Sequence, residues 1–325
     1  MGRCGFTSIR RAFVPALAGW SLVLGALAAG IRASPPIPAS AAPVSSLSVQ
    51  GNDLVDGGGT VVQLHGVNRV GALYPCIQGW GIFDGPSDSA SAAAIAGWHT
   101  NAVRLQLNED CWLGINGVNG ADAGSNYQGA IVSYVNLLHQ AGLYVILSLT
   151  WSAPGQSLSS NQPMMADADH APNFWQSVAT TFKADPAVIF DLYSAPHGIS
   201  WDCWRNGCTT SGGWQAAGMQ TLANAVRGTG ATQPLLLSGL NWANDLSGWL
   251  PSKPSDPANA LVAGFHESNG SGCNAPSCWS GSLFNVAQTV PVVIVYDSRI
   301  TWQKIAFEAL RVFTKGDGLL ELRAS

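Results

Sequence analysis

Short apolar runs alternate along this chain with longer stretches that carry apolar residues at helical spacing. The runs occupy residues 102–107, 143–149, 188–193, 234–240, 261–265 and 290–296. Between them, 129–140, 173–183 and 214–227 repeat apolar side chains every three or four positions, the stripe that one face of a helix buries. Near the start, 47–49 and 61–67 flank an Asp-Gly-Gly-Gly turn at Asp56, which predicts a β-hairpin leading into a first strand. Strands that read as continuous apolar runs and alternate with helices signal βα units and a parallel sheet. Both a closed barrel and an open doubly wound sheet fit the pattern. No Gly-x-Gly-x-x-Gly follows the first strand, which disfavours the dinucleotide-binding version.

Composition narrows this. With 325 residues, 47% hydrophobic and 10% charged, the chain can bury one large core, and a barrel of roughly 250 residues fits. The net charge of -4 and the absence of a basic cluster beyond Arg10-Arg11 exclude a phosphate-gripping surface, so no nucleic-acid partner is expected. Arg3, Arg10 and Arg11 precede an apolar run over 12–31 and an Ala39-Ser40-Ala41 site, which predicts a signal peptide over 1–41 cleaved before Ala42. The alternative is an uncleaved membrane anchor, because about 20 apolar residues can span a bilayer. Either way the folded part is expected outside the cytoplasm, secreted in the first case. Residues 42–48 close a Pro-, Ala- and Ser-rich linker, and 49–325 form the domain.

Six cysteines remain once Cys4 leaves with the signal, an even count that suggests three disulfides in an oxidising compartment. Cys203 with Cys208 and Cys273 with Cys278 each enclose a short polar loop, so local pairing is the simplest connectivity and leaves Cys76 with Cys111. Neither local pair has zinc-ligand spacing, and no metal or cofactor is expected.

In a parallel barrel the chemistry gathers where strands end. Those ends carry Asn68 and Arg69; Asn108, Glu109 and Asp110; Thr150 and Trp151; Ser194, Ala195 and His197; Asn241 and Trp242; His266 and Glu267; Tyr296 and Asp297. Thirteen tryptophans add aromatic faces on which a sugar ring can stack.

Leu64-His65-Gly66-Val67-Asn68, Asn101-Ala102-Val103-Arg104-Leu105, Trp151-Ser152-Ala153-Pro154-Gly155, Asp185-Pro186-Ala187-Val188-Ile189-Phe190-Asp191-Leu192-Tyr193 and Val290-Pro291-Val292-Val293-Ile294 occur in this order. On these pieces the chain resembles the family 5 glycoside hydrolases, which include many cellulases and mannanases. The resemblance implies a (β/α)8 TIM barrel acting on O-glycosyl bonds of polysaccharide, here with an N-terminal hairpin. It also implies an acid/base Glu ending strand four and a nucleophilic Glu ending strand seven, about 5 Å apart for a retaining mechanism. This chain has Ala195 and Tyr296 at those two positions. It also has Leu147-Ser148-Leu149-Thr150 where the family often shows Leu-Asp-x-His, and His266-Glu267-Ser268 where the family shows His-x-Tyr.

Arg104, Asn108, Trp151, His197, Trp242 and His266 are the residues expected to line a sugar cleft. Arg104 has a second reading as an ion pair closing the barrel, and the two histidines have one as buried or loop-pairing groups. Three functions follow. The first is a glycosidase relic with hydrolysis lost or severely impaired. The second is an active enzyme using displaced carboxylates, Glu267, Asp297 or Glu109. The third is a non-catalytic glycan-binding protein working through Trp151, Trp201 and Trp242. The expected partner is a poly- or oligosaccharide, and the expected state is a monomer with no membrane contact after signal cleavage. Beyond Ile294 the resemblance stops. A helix over 300–314 and a short strand over 319–322 are expected there, leaving the barrel incomplete at its C-terminal end.

Overall fold

The computed structural model describes residues 44–268, 272–273, 279–297 and 309–313. The proposed signal peptide, Cys278 and the expected strand at 319–322 lie outside the described residues.

A hairpin of β1 (Leu47–Gln50) and β2 (Asp53–Asp56) opens the fold, paired antiparallel from Leu47 opposite Asp56. Its turn is therefore at Gly51-Asn52, with Gly51 at φ 64°, and not at the Asp-Gly-Gly-Gly run. That run makes a second turn, in which Asp56 Oδ1 accepts from Gly58 and Thr60 N–H, and it returns the chain only to a single bridge between Val55 and Val61.

The barrel then begins. Strands one to four are β3 (His65–Arg69), β4 (Ala102–Asn108), β5 (Tyr144–Trp151) and β6 (Val188–Asp191). A small ribbon of β7 (Cys208–Thr209) and β8 (Gln215–Ala216) intervenes. Strands five to seven are β9 (Leu235–Ser238), β10 (Leu261–Ser268) and β11 (Val292–Asp297). All seven pair in parallel, in sequence order. The eighth place belongs to β12 (Ala309–Phe313), which runs antiparallel to both β11 and β3 and closes the ring. The helix expected over 300–314 is thus corrected at 309–313, where the chain is a strand. The eleven residues between β11 and β12 are about the minimum for a crossover, whereas an antiparallel return needs only a turn.

Among the crossover segments, α1 (Pro75–Gln78) and α2 (Ser89–Ala96) follow β3, α3 (Glu109–Leu113) and α4 (Ser125–Gln140) follow β4, and α5 (Ala171–Phe182) follows β5. Next come α6 (Trp201–Asn206) and α7 (Met219–Arg227) after β6. The expected helix at 214–227 therefore starts only at Met219, because Gln215 and Ala216 pair with the Cys208 strand.

Period-two alternation sorts the strand residues into two layers. Val103, Leu105 and Leu107 of β4, with Val145, Leu147 and Leu149 of β5, join the large core between sheet and helices. Ala102, Ile146, Ile189, Leu236, Val262 and Val293 fill a smaller cluster at the barrel's centre. Two residues further along the same inward-facing rows stand Arg104, Ser148, Asp191 and Ser238, all buried. The interior is thus greasy at the strand beginnings and polar towards their ends. Cys76–Cys111 and Cys203–Cys208 are bonded as expected. Cys273 is also disulfide-bonded.

Candidate active site

The polar layer is organised by Arg104, which is 1% exposed. Its Nε and Nη2 donate to Asp191 Oδ2 at 2.9 and 2.6 Å, Nη2 also to Ser148 Oγ at 2.8 Å and Ser194 Oγ at 2.7 Å, and Nη1 to Asn68 Oδ1 at 3.3 Å. Ser148 adds a third hydrogen bond to the same Asp191 oxygen. Of the two roles open to Arg104, the geometry realises the ion pair, joining strands one, two, three and four. Asp191 was not singled out in the sequence, although it closes the β6 run one residue before Leu192.

His266 enters this layer from β10. Burial first, and then the Arg104 charge, push its imidazole well below the ordinary value, and its Nε2 has no hydrogen-bond partner. A neutral ring is the form that tolerates a guanidinium beside it. An unfolded chain protonates this histidine near pH 6.5 while the folded one resists. Folding stability should therefore fall as pH drops below about 6.5, by up to about 1.4 kcal/mol per pH unit from this group. Urea midpoints at pH 7.5 and 5.5 test the sign: the parent should lose more than a His266→Gln variant.

At the rim, His197 and Trp242 stack face to face, with ring centroids 3.4 Å apart and planes 10° from parallel. His197 Nδ1 donates to the Ala195 carbonyl at 3.1 Å, and burial lowers its pKa. Trp242 N–H donates to the Pro196 carbonyl at 3.0 Å, so the loop after β9 is fastened to the loop after β6. Asn241, Trp242 and Ala243 all have positive φ, at 53°, 61° and 64°. Each such non-glycine residue costs about 1 kcal/mol or more, and a run of three persists only where the surroundings impose it. The result is an indole that remains 52% exposed. Trp151, half-buried, ends β5 opposite Asn108. Trp201 instead packs edge-on against Trp204 and over Gly248.

The other polar residues at the strand ends are turned to structural tasks. Asn108 is buried: its Oδ1 accepts from Cys111 N–H to cap α3, and its Nδ2 donates to the Ser159 carbonyl. Asp110 accepts from Ser159 N–H and Asn116 Nδ2. Ala195 is itself buried, its methyl group standing where an acid/base carboxyl is expected. Tyr296 and Asp297 end β11 opposite Glu267 and Ser268, and their side chains lie outside the described residues. Glu267 is buried, and the alternation of β10 puts it on the outer face with Ala263 and Phe265, away from His266.

Glu109 is 0% exposed, in the first turn of α3. Its Oε1 accepts from Ala153 N–H at 3.3 Å. Burial, then the neighbouring Asp167 charge, push its carboxyl well above the usual range, and burial also raises that of Asp167. Neither Asp167 nor its neighbour His170 was anticipated. The signal was an Asp167-x-Asp169-His170 run immediately before α5, set in a polar loop that periodicity does not flag.

The family model described as Cellulase (glycosyl hydrolase family 5) matches residues 55–285. Among solved structures, the chain is similar to β-glucanase SdGluc5_26A from Saccharophagus degradans in complex with cellotetraose, with a TM-score of 0.57 and 19% identity, covering 79% of this chain and 75% of that one. It is also similar to the catalytic domain of Thermobifida fusca endoglucanase Cel5A, with a TM-score of 0.52 and 17% identity, covering 77% and 73%. A variant of that enzyme in complex with cellotetraose matches at a TM-score of 0.51 and 19% identity, with the same coverage. No curated protein sequence matches the chain.

Proposed function

We propose, from the fact that this chain belongs to glycosyl hydrolase family 5, that it binds a β-linked gluco-oligosaccharide at the strand-end rim and hydrolyses it poorly or not at all. The observation that carries this is Ala195, a buried methyl group at the position that must protonate the leaving oxygen, fastened beside an exposed indole. Alanine has no proton to give, and general acid catalysis is worth about 10²–10⁴-fold. The family resemblance puts Tyr296 at the nucleophile position, which removes the anion as well. What remains favours holding sugar: the His197–Trp242 stack and Trp151 offer flat apolar faces, and relatives of this fold are known with cellotetraose bound.

The reading with displaced carboxylates has less to support it. Glu267 sits on the outer face of its strand, and Glu109 is fully buried against Asp167 rather than across a cleft; the third candidate, Asp297, ends β11 with its side chain outside the described residues. Export with loss of the leader before Ala42 belongs to the same proposal and rests on the N-terminal pattern and the disulfides; a monomeric state is proposed with it.

Isothermal titration with cellotetraose tests the binding. Trp242→Ala should weaken it by about tenfold, since an aromatic face contributes about 0.5–1.5 kcal/mol beyond its area. Absence of binding by the parent, with the fold intact by circular dichroism, would reject the proposal.

A further inference from the structure

We propose that Glu109, Asp167 and His170 form a binding site for one divalent transition-metal cation of the zinc or manganese type. They stand outside the barrel ring, where the start of α3 meets the loop that leads into α5. One ligand atom from each lies within 4.8 Å of the other two. His170 Nδ1 is 3.7 Å from Asp167 Oδ1 and 3.9 Å from Glu109 Oε1, and both acids are 0% exposed.

Two features point to a missing positive charge. The second oxygens, Glu109 Oε2 and Asp167 Oδ2, are buried and receive no N–H or O–H donor among the described residues, and the two carboxyls stand within hydrogen-bonding reach of each other. Asp110 and Asp169 crowd the same pair, and among the described residues the only basic side chain within ion-pair distance of Glu109 and Asp167 is His170. Adjacent buried carboxylates need either a shared proton or a cation.

The donor set selects the ion. Two carboxylates and one imidazole nitrogen suit zinc or manganese, whereas calcium takes six to eight oxygens and magnesium gives up its water reluctantly. His170 Nδ1 now faces the Ala153 carbonyl at 3.3 Å, so binding moves the imidazole proton to Nε2 and frees the Nδ1 lone pair. Access exists, because His170 is 23% exposed. A shallow cavity of about 550 Å3 also opens beside it along Pro154, Gly155 and Asp169. The ion would tie the β4–α3 junction to the N-terminus of α5. None of the cysteines takes part.

The test uses the full chain after dialysis against a chelator. Zinc titrated calorimetrically should bind at one equivalent, and a free concentration of about 100 times Kd should raise Tm by about 5 °C or more. Calcium and magnesium should do neither. Asp167→Asn and His170→Asn should each weaken zinc binding at least about tenfold, and the partly exposed His170 gives a variant that keeps the fold if Asp167→Asn does not. Lack of stoichiometric uptake by the parent would mean that the carboxyl pair holds a proton. Unchanged affinity in His170→Asn would place the ion elsewhere; either result overturns the proposal.

Discussion

Asp191→Ala should destabilise the protein by about 3–5 kcal/mol, because it leaves the Arg104 guanidinium buried without its counter-charge. Two donations from Arg104 and one from Ser148 converge on a single Asp191 oxygen, and removing that oxygen orphans all three. Thermal melts should show a Tm lower by about 6–20 °C. A paired replacement, Arg104→Met with Asp191→Leu, should cost much less, since it deletes both charges and leaves apolar volume in their place. Equal losses in the single and double variants would show that packing, and not the uncompensated charge, dominates this layer.

Hydrolysis of cellulose, mannan and xylan by the purified protein should stand at least about 10²–10⁴-fold below that of a family member with both carboxylates. The choice of substrate separates the two losses. An aryl cellobioside with a dinitrophenolate leaving group departs without protonation, so it bypasses Ala195 but still needs an anion below the ring. The activated substrate should therefore also fail, and Ala195→Glu alone should not revive turnover of either substrate. Fast release of dinitrophenolate would reveal a working nucleophile and confine the damage to the acid/base position.

Much of the barrel was legible in the sequence because parallel strands covered on both faces are buried at nearly every position, as β4 and β5 are, and so are rich in apolar residues. The errors have local causes. Three consecutive glycines outweighed a single Gly51 as a turn signal, yet Gly51 carries the hairpin. Over five residues, Ala309–Phe313 cannot distinguish a helical stripe from a two-residue alternation, and pairing with β3 and β11 decided the matter.

At the site, position along each strand was readable and depth was not. Asn108 and Glu109 look like rim residues, but the helix that starts at Glu109 turns both into the protein. The Arg104 ion pair needed its partner, Asp191, from a strand that is 87 residues away in sequence and so invisible to local pattern. The His197–Trp242 stack depends on left-handed backbone at three non-glycine residues, which no propensity argument would select.

The antiparallel closing strand bears on the order in which the molecule assembles. β11 and β12 are near neighbours in the chain and can zip as a hairpin, whereas β12 and β3 bring together almost opposite ends of the domain. Loop entropy penalises such a contact until the intervening strands are in place. Ring closure along Val67 and Ala309 is thus the slow seam of this barrel, set by topology and independent of whatever chemistry the rim performs.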